Sequence, residues 1–293
     1  MKVYVLNKRI ILKLSLYLVA IMLITAAAWS FNAKTGTVFN GKREIPIYSV
    51  DCVQKNISIT FDCAWGADDI PKILEVLREQ QVKATFFFVG LWAEKNPDVV
   101  RQIALDGHDI ANHSYSHLRM GAIDNAKIKS EISQCNKILE DLSGRKVELF
   151  RAPYGDYNDK VVLIAKEMGC FTIQWDVDSL DWKPGITKDE IMRRISQKVK
   201  TGSILLFHND TAHTAEMLAD IITMLKQKGY NFLPVSELIY KDNYTIDHEG
   251  KQSKTISAQP SPQCYLKLNK SIFDEALKMR NQKVPTVRNF LLY

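Results

Sequence analysis

The sequence predicts an α/β fold in which about seven strands and the helices between them wind into a distorted (β/α) barrel. Three observations carry this expectation. From Ile57 to about Tyr240, short apolar runs alternate with amphipathic stretches of helical period, the pattern of strand and helix layers around one core. Glycines at 107, 144, 169 and 229 stand at the ends of the helical stretches, where a helix stops. Finally, the polar residues best suited to chemistry fall just after strands, and parallel barrels gather such ends on one face. A doubly wound open sheet gives much the same string of elements, so the strand-end positions discriminate best.

In order, the predicted strands are Ile57–Phe61, Ala84–Val89, His108–Ala111, Val147–Phe150, Phe171–Trp175, Ile204–Phe207 and Asn231–Leu233. Each is a short apolar run rich in β-branched and aromatic residues, bounded by turn residues. The predicted helices are Asp69–Gln80, Pro97–Asp106, Ala126–Leu142, Asp159–Met168, Lys188–Val199 and Thr214–Lys228. The first and fourth open with aspartates that can cap, and the second has Pro97 in its first turn.

The flanks read differently. Leu14 to Phe31 carries no charge and follows Lys2, Lys8, Arg9 and Lys13. At about 1.5 Å per residue it is long enough to cross a bilayer, with the basic side cytoplasmic and the rest of the chain exported. We expect residues 1–31 to be a membrane anchor, here one N-terminal transmembrane helix. A cleaved signal peptide ending near Ala26-Ala27-Ala28 is the competing reading, and it also places the domain outside the cytoplasm. Residues 32–54 read as a linker and lead-in strand, and 55–240 as the main domain. Residues 241–293 read as a flexible polar tail with one short helix near Ser271–Asn281. The formal net charge of +6 resides on the flanks, and the centre is mildly acidic. A nucleic-acid partner is therefore not expected, whereas a membrane partner is. Five cysteines form no disulfide framework.

Five segments carry chemistry. Asp62 closes the strand Ile59-Thr60-Phe61, where a carboxylate is costly to bury unless paired; it reads as a general base or as a cap. His113 and His117 are four apart in Asn112-His113-Ser114-Tyr115-Ser116-His117, a spacing at which two imidazoles on one helical turn close on a divalent metal. Arg151-Ala152-Pro153-Tyr154-Gly155 sets a guanidinium after a strand, where it can hold Asp62 ionised, and then a turn whose N–H groups suit an oxyanion. Trp175-Asp176-Val177-Asp178-Ser179-Leu180-Asp181-Trp182 crowds carboxylates between tryptophans, a composition that suits sugar rings; a calcium loop lacks its glycine and closing glutamate. His208 ends the apolar strand Ile204-Leu205-Leu206-Phe207, where a carboxylate partner would fit it as a general acid.

In order and spacing these segments resemble the polysaccharide deacetylases, the NodB-homology domain of carbohydrate esterase family four, across residues 55–240. The matching residues are Thr60-Phe61-Asp62-Cys63, His113-Ser114-Tyr115-Ser116-His117, Arg151-Ala152-Pro153-Tyr154, Asp178-Ser179-Leu180-Asp181-Trp182 and Leu206-Phe207-His208. The resemblance implies removal of N-acetyl groups from amino sugars of an acetylated polysaccharide, with one divalent metal ion, zinc or cobalt. It implies Asp62 as base, His113 and His117 as metal ligands, His208 as acid, and Arg151 and Asp181 as their tuning partners. Tyr154, Asp178 and Trp182 fall to the oxyanion and the substrate. The chain departs from the pattern at Cys63, where the family has a second aspartate as third ligand. A thiolate there would keep a softer metal site, and a buried thiol would impair it. The sequence thus predicts an extracytoplasmic N-deacetylase of a cell-wall glycan, peptidoglycan. The alternatives are a glycan-binding protein on an impaired scaffold and an O-acetyl esterase.

Overall fold

The computed structural model describes residues 43–255 together with Tyr17, Ile21 and Met22. The predicted anchor therefore lies, apart from those three residues, outside the described residues, as does the predicted helix near Ser271–Asn281. Among the described residues no helix is long and apolar enough to cross a membrane. The chain divides into two compact units at Arg43 and Glu44, and the strands and helices of the main domain all belong to the second.

Its strands are β1 (Ser49–Val50), β2 (Asn56–Cys63), β3 (Thr85–Phe88), β4 (Asp109–Asn112), β5 (Leu149–Phe150), β6 (Phe171–Thr172), β7 (Val177–Asp178), β8 (Ile204–His208), β9 (Asn231–Phe232), β10 (Tyr244–Ile246) and β11 (Lys251–Lys254). The helices are α1 (Ile70–Glu79), α2 (Gly90–Lys95), α3 (Pro97–Leu105), α4 (Asn125–Ser143), α5 (Asp159–Glu167), α6 (Lys188–Lys198), α7 (Thr214–Gln227) and α8 (Val235–Leu238). Seven parallel strands run in the order β6-β5-β4-β3-β2-β8-β7, an open barrel-like array, and β9 pairs with the start of β2. Residues 47–50 tie the flanks together: Ile47 bridges Ile173 beyond β6, and Ser49 bridges Ser203 before β8. Gly202 makes that closure possible, because a Cβ there would lie 1.6 Å from the Val50 carbonyl oxygen.

All six predicted helices are present, shifted by a residue or so at their ends. Two short ones, α2 and α8, carry too few apolar repeats to be seen in the sequence. Asp69 does not cap α1; its carboxylate accepts the Asp210 N–H instead. Asn158, not Asp159, caps α5. The predicted seventh strand, Asn231–Leu233, lies off the main order, and the two-residue β7 takes its place. The polar stretch from Lys241 is not a flexible tail as far as residue 254. It forms β10 and β11, with β11 parallel to β1. Gln252 is fully buried there, exchanging hydrogen bonds with the Tyr240 main chain.

Strand β2 sets the site. Its alternate residues Ile57, Ile59, Phe61 and Cys63 join the core against Ile73 and Leu77 of α1 and Leu218 and Ile221 of α7. The residues between them, Ser58, Thr60 and Asp62, face the other side. The period of two thus assigns Asp62 and Cys63 to opposite faces.

Candidate active site

A cavity of about 480 Å³ opens at the carboxyl ends of the strands, lined by Asp62, His113, His117, Tyr154, Asp178, Trp182 and His208 among others. Seven of the ten residues singled out from the sequence therefore meet in one place. Arg151 and Asp181 stand directly behind two of them. Cys63 lies elsewhere, in the apolar layer under α1.

Asp62 and His208 face each other across adjacent strands in the β2–β8 register. Arg151 is wholly buried and donates from Nη1 to Asp62 Oδ1 at 2.6 Å and to Thr60 Oγ1 at 2.9 Å. Its Nη2 donates to the Gln174 carbonyl at 3.2 Å, and its plane lies 3.9 Å from the Phe87 ring centre. Burial alone would raise the Asp62 pKa, but Arg151, His113 and His208 together pull it below its ordinary value. Asp62 is thereby kept a carboxylate.

His208 donates from Nδ1 to Asp181 Oδ1 at 2.8 Å. Asp181 is held in turn by the His208 N–H at 2.7 Å and the Thr214 hydroxyl at 2.7 Å. Burial would lower the His208 pKa, but the bond and charge of Asp181, with Asp62 and Asp178 behind it, raise it above 6.5. A raised histidine pKa stabilises the fold fully below the unfolded value, and the contribution is lost as pH rises through the folded value. The alkaline limb of turnover should therefore lie above pH 6.5. Asp181→Asn should move it toward acid and lower kcat by about 10–100-fold, measured as a pH–rate profile. An unmoved limb would remove Asp181 from the acid's support.

The two histidines do not sit on a helical turn, as their spacing suggested. Residues 113–117 form a loop in which Ser114 and His117 take positive φ of 65° and 59°. The loop is pinned by groups with no sequence signature. Asn112, fully buried, accepts the Ser114 N–H at 2.7 Å, and Glu131 on α4 accepts both the N–H and the hydroxyl of Ser116. The rings of His113 and His117 end 5.1 Å apart.

Whether these residues suit a divalent ion follows from the tautomer of His113. Its Nδ1 lies 2.9 Å from the Arg151 carbonyl, which can only accept, so Nδ1 carries the proton. Burial lowers its pKa, keeping it neutral. Nε2 then carries no proton and lies 3.5 Å from Asp62 Oδ2. His117 is likewise neutral, its pKa lowered to about 4 by burial and by His113. Its Nδ1 is hydrogen-bonded to the Tyr154 hydroxyl at 3.1 Å. Two imidazoles thus fit a metal. A third protein ligand does not join them: among the described residues no group of three or more His, Cys, Asp or Glu is placed to hold an ion. Cys63 lies in the apolar core under α1, and burial, with Asp62 and Asp69 nearby, raises its thiol pKa well above the ordinary value.

Trp65, not singled out from the sequence, is 57% exposed at the cavity rim and meets the His117 ring edge-on at 5.1 Å. Its only sequence signal is its place three residues after Asp62. Asp176 is not at the site; its carboxylate accepts the Ser203 hydroxyl and the Ile204 N–H.

Comparison with known proteins agrees with this geometry. Residues 50–173 match the family model described as polysaccharide deacetylase. A peptidoglycan-N-acetylglucosamine deacetylase of Bacillus cereus is 36% identical over 192 residues, covering 64% of this chain and 89% of that protein. YlxY of Bacillus subtilis, an uncharacterized protein, is 36% identical over 195 residues; the chain spans only 60% of its length. Among solved structures, a CE4 family pseudoenzyme from Bacillus anthracis aligns at a TM-score of 0.64 and 36% identity, covering 66% of this chain and 68% of that one. A mutant of a pseudoenzyme of that family with restored enzymatic activity aligns equally well, at 37% identity. With a relative matched over nearly its whole length, the chain belongs to the polysaccharide deacetylase family, the NodB-homology carbohydrate esterases.

Proposed function

We propose that this protein removes N-acetyl groups from the amino sugars of a cell-wall polysaccharide, peptidoglycan, in a metal-dependent reaction. The observation that carries the proposal is the Asp62–His208 pair. Two titratable groups face one cavity; Arg151 lowers the pKa of one and Asp181 raises that of the other, opposite shifts that suit a base and an acid. Asp62 takes the proton of the attacking water. His208 protonates the departing amine and leaves it as a free amino sugar beside acetate. Tyr154, Trp65 and Trp182 flank the cavity and offer exposed rings to a sugar face. Bound to His113 and His117, a divalent ion such as zinc would supply Lewis acidity toward the acetamide carbonyl. The uncharged Leu14–Phe31 segment behind a basic start supports an extracytoplasmic, membrane-anchored location. Acetate released from peptidoglycan fragments or N-acetylglucosamine oligomers with added zinc tests the activity; no release from either would end this reading.

A second reading, a glycan-binding protein with catalysis lost, is favoured by one observation: the Cys63 side chain belongs to the core and leaves the metal two protein ligands. Cys63→Asp discriminates. If the natural site is impaired, the new carboxylate, too costly to leave under α1, turns out of the core toward the histidines, and the variant holds at least about tenfold more zinc and gains acetate release. Equal zinc content in parent and variant would show that this position does not limit the site.

A further inference from the structure

The site cavity is one end of a longer groove. It shares Trp65, Trp182 and His208 with a second cavity of about 660 Å³. That cavity shares Lys183, Pro184, Gly185 and Ile186 with a third, of about 360 Å³, walled by α6. The groove changes chemistry along its length. Near the site it is aromatic. At the far end its wall presents Lys183, Arg193, Arg194 and Lys198 against one carboxylate, Glu190.

That carboxylate is already engaged. Glu190 closes a capping box, accepting the N–H and hydroxyl of Thr187 at 2.9 Å each. Its pKa is lowered by those bonds and then by Arg193 and Lys183 nearby. Arg194 is anchored beneath the groove, with Nε donating to the Asp178 carbonyl at 2.5 Å. Lys183, Arg193 and Lys198 form no ion pair among the described residues. Lys188, at the start of the same helix, by contrast meets Glu216. Four cations against one carboxylate around one concavity leave an excess of positive charge, which an oxyanion relieves.

We propose that this far end of the groove binds an oxyanion carried by the polysaccharide, a carboxylate or phosphate appended to the sugar chain. The protein therefore selects acidic wall polymers over neutral amino-sugar chains. The inference rests on the deacetylase reading, because it takes the occupant of the groove to be the same polymer that enters the site. It names the substrate class: a polymer whose charged substituent lies beyond the sugar stacked near Trp182.

Equilibrium binding to the full chain tests this without requiring turnover. Four probes separate the possibilities: a neutral N-acetylglucosamine oligomer, a peptidoglycan fragment with free peptide carboxylates, the same fragment with those carboxylates amidated, and a phosphate-bearing wall polymer. At low salt the carboxylate fragment, the phosphate polymer or both should bind about tenfold or more tightly than the uncharged probes, and the advantage should shrink at high salt. Whichever acidic probe prevails identifies the source of the oxyanion. Lys183→Glu with Arg193→Glu should abolish the preference. Lys160→Glu with Lys166→Glu, an equal charge change on α5 outside the groove, should keep it. Equal affinity for free and amidated fragments, with no gain for phosphate, would overturn the proposal, and so would a preference that survives the groove variant. Absence of acetate release with the preference intact would instead sink the deacetylase reading alone.

Discussion

Asp62→Asn is expected to lower the rate of acetate release by about 10²–10⁴-fold and to leave glycan affinity nearly unchanged. Asparagine keeps an oxygen for the Arg151 guanidinium, so the geometry of β2 survives. It cannot take a proton from water. Steady-state kinetics beside direct glycan binding separate the two effects. A variant retaining a tenth or more of the parent rate would show that another group is the base, and the Asp62–His208 assignment would fail with it.

The second large effect concerns stability. Arg151→Met should lower the free energy of unfolding at neutral pH by about 3–5 kcal/mol, because it leaves the Asp62 charge buried without a partner. Methionine fills much of the volume against Phe87, so the loss reports charge more than a void. The pH dependence gives a sharper check. In the parent, Asp62 has a depressed pKa, so it contributes stability above its ordinary value of 3.8, and that contribution fades as pH falls through the folded value. In the variant, burial acts unopposed by the guanidinium and raises the Asp62 pKa, so protonation relieves the penalty. The gap between parent and variant should therefore narrow as the pH is lowered from neutrality, read by denaturant titrations at several pH values. A gap that stays constant would mean the loss comes from packing and not from the ion pair.

Much of this site was legible because each functional residue follows a strand. Asp62, Arg151 and His208 each sit at or just beyond the last apolar residue of a run, and parallel strands must deliver such residues to a common mouth. The six longer helices were equally plain, since their apolar faces repeat with a period that no strand shares. The polar strands β10 and β11 were not visible, because their stability comes from pairing with β1 and from the Gln252 side chain buried against Tyr240. Neither leaves a hydrophobic pattern. The two-residue β7 was too short to show any period at all.

The loop carrying the histidines shows the same division. Its spacing suggested a helical turn, but Asn112 and Glu131 bind its main chain and impose positive φ at Ser114 and His117. Side-chain bonds from residues up to 15 positions away decided the shape, and local propensity did not.

Sequence alone settled the family, the order of the elements and which residues have the right chemistry, because those depend on residue type and on repeats close along the chain. Only the tertiary structure could decide which side chains meet. It placed Cys63 in the core one position from Asp62 in the cavity, oriented the His113 lone pair toward Asp62, and ran the groove from Trp182 to the cations of α6. Those outcomes depend on the face each strand residue takes and on hydrogen bonds between distant segments, which no local pattern encodes.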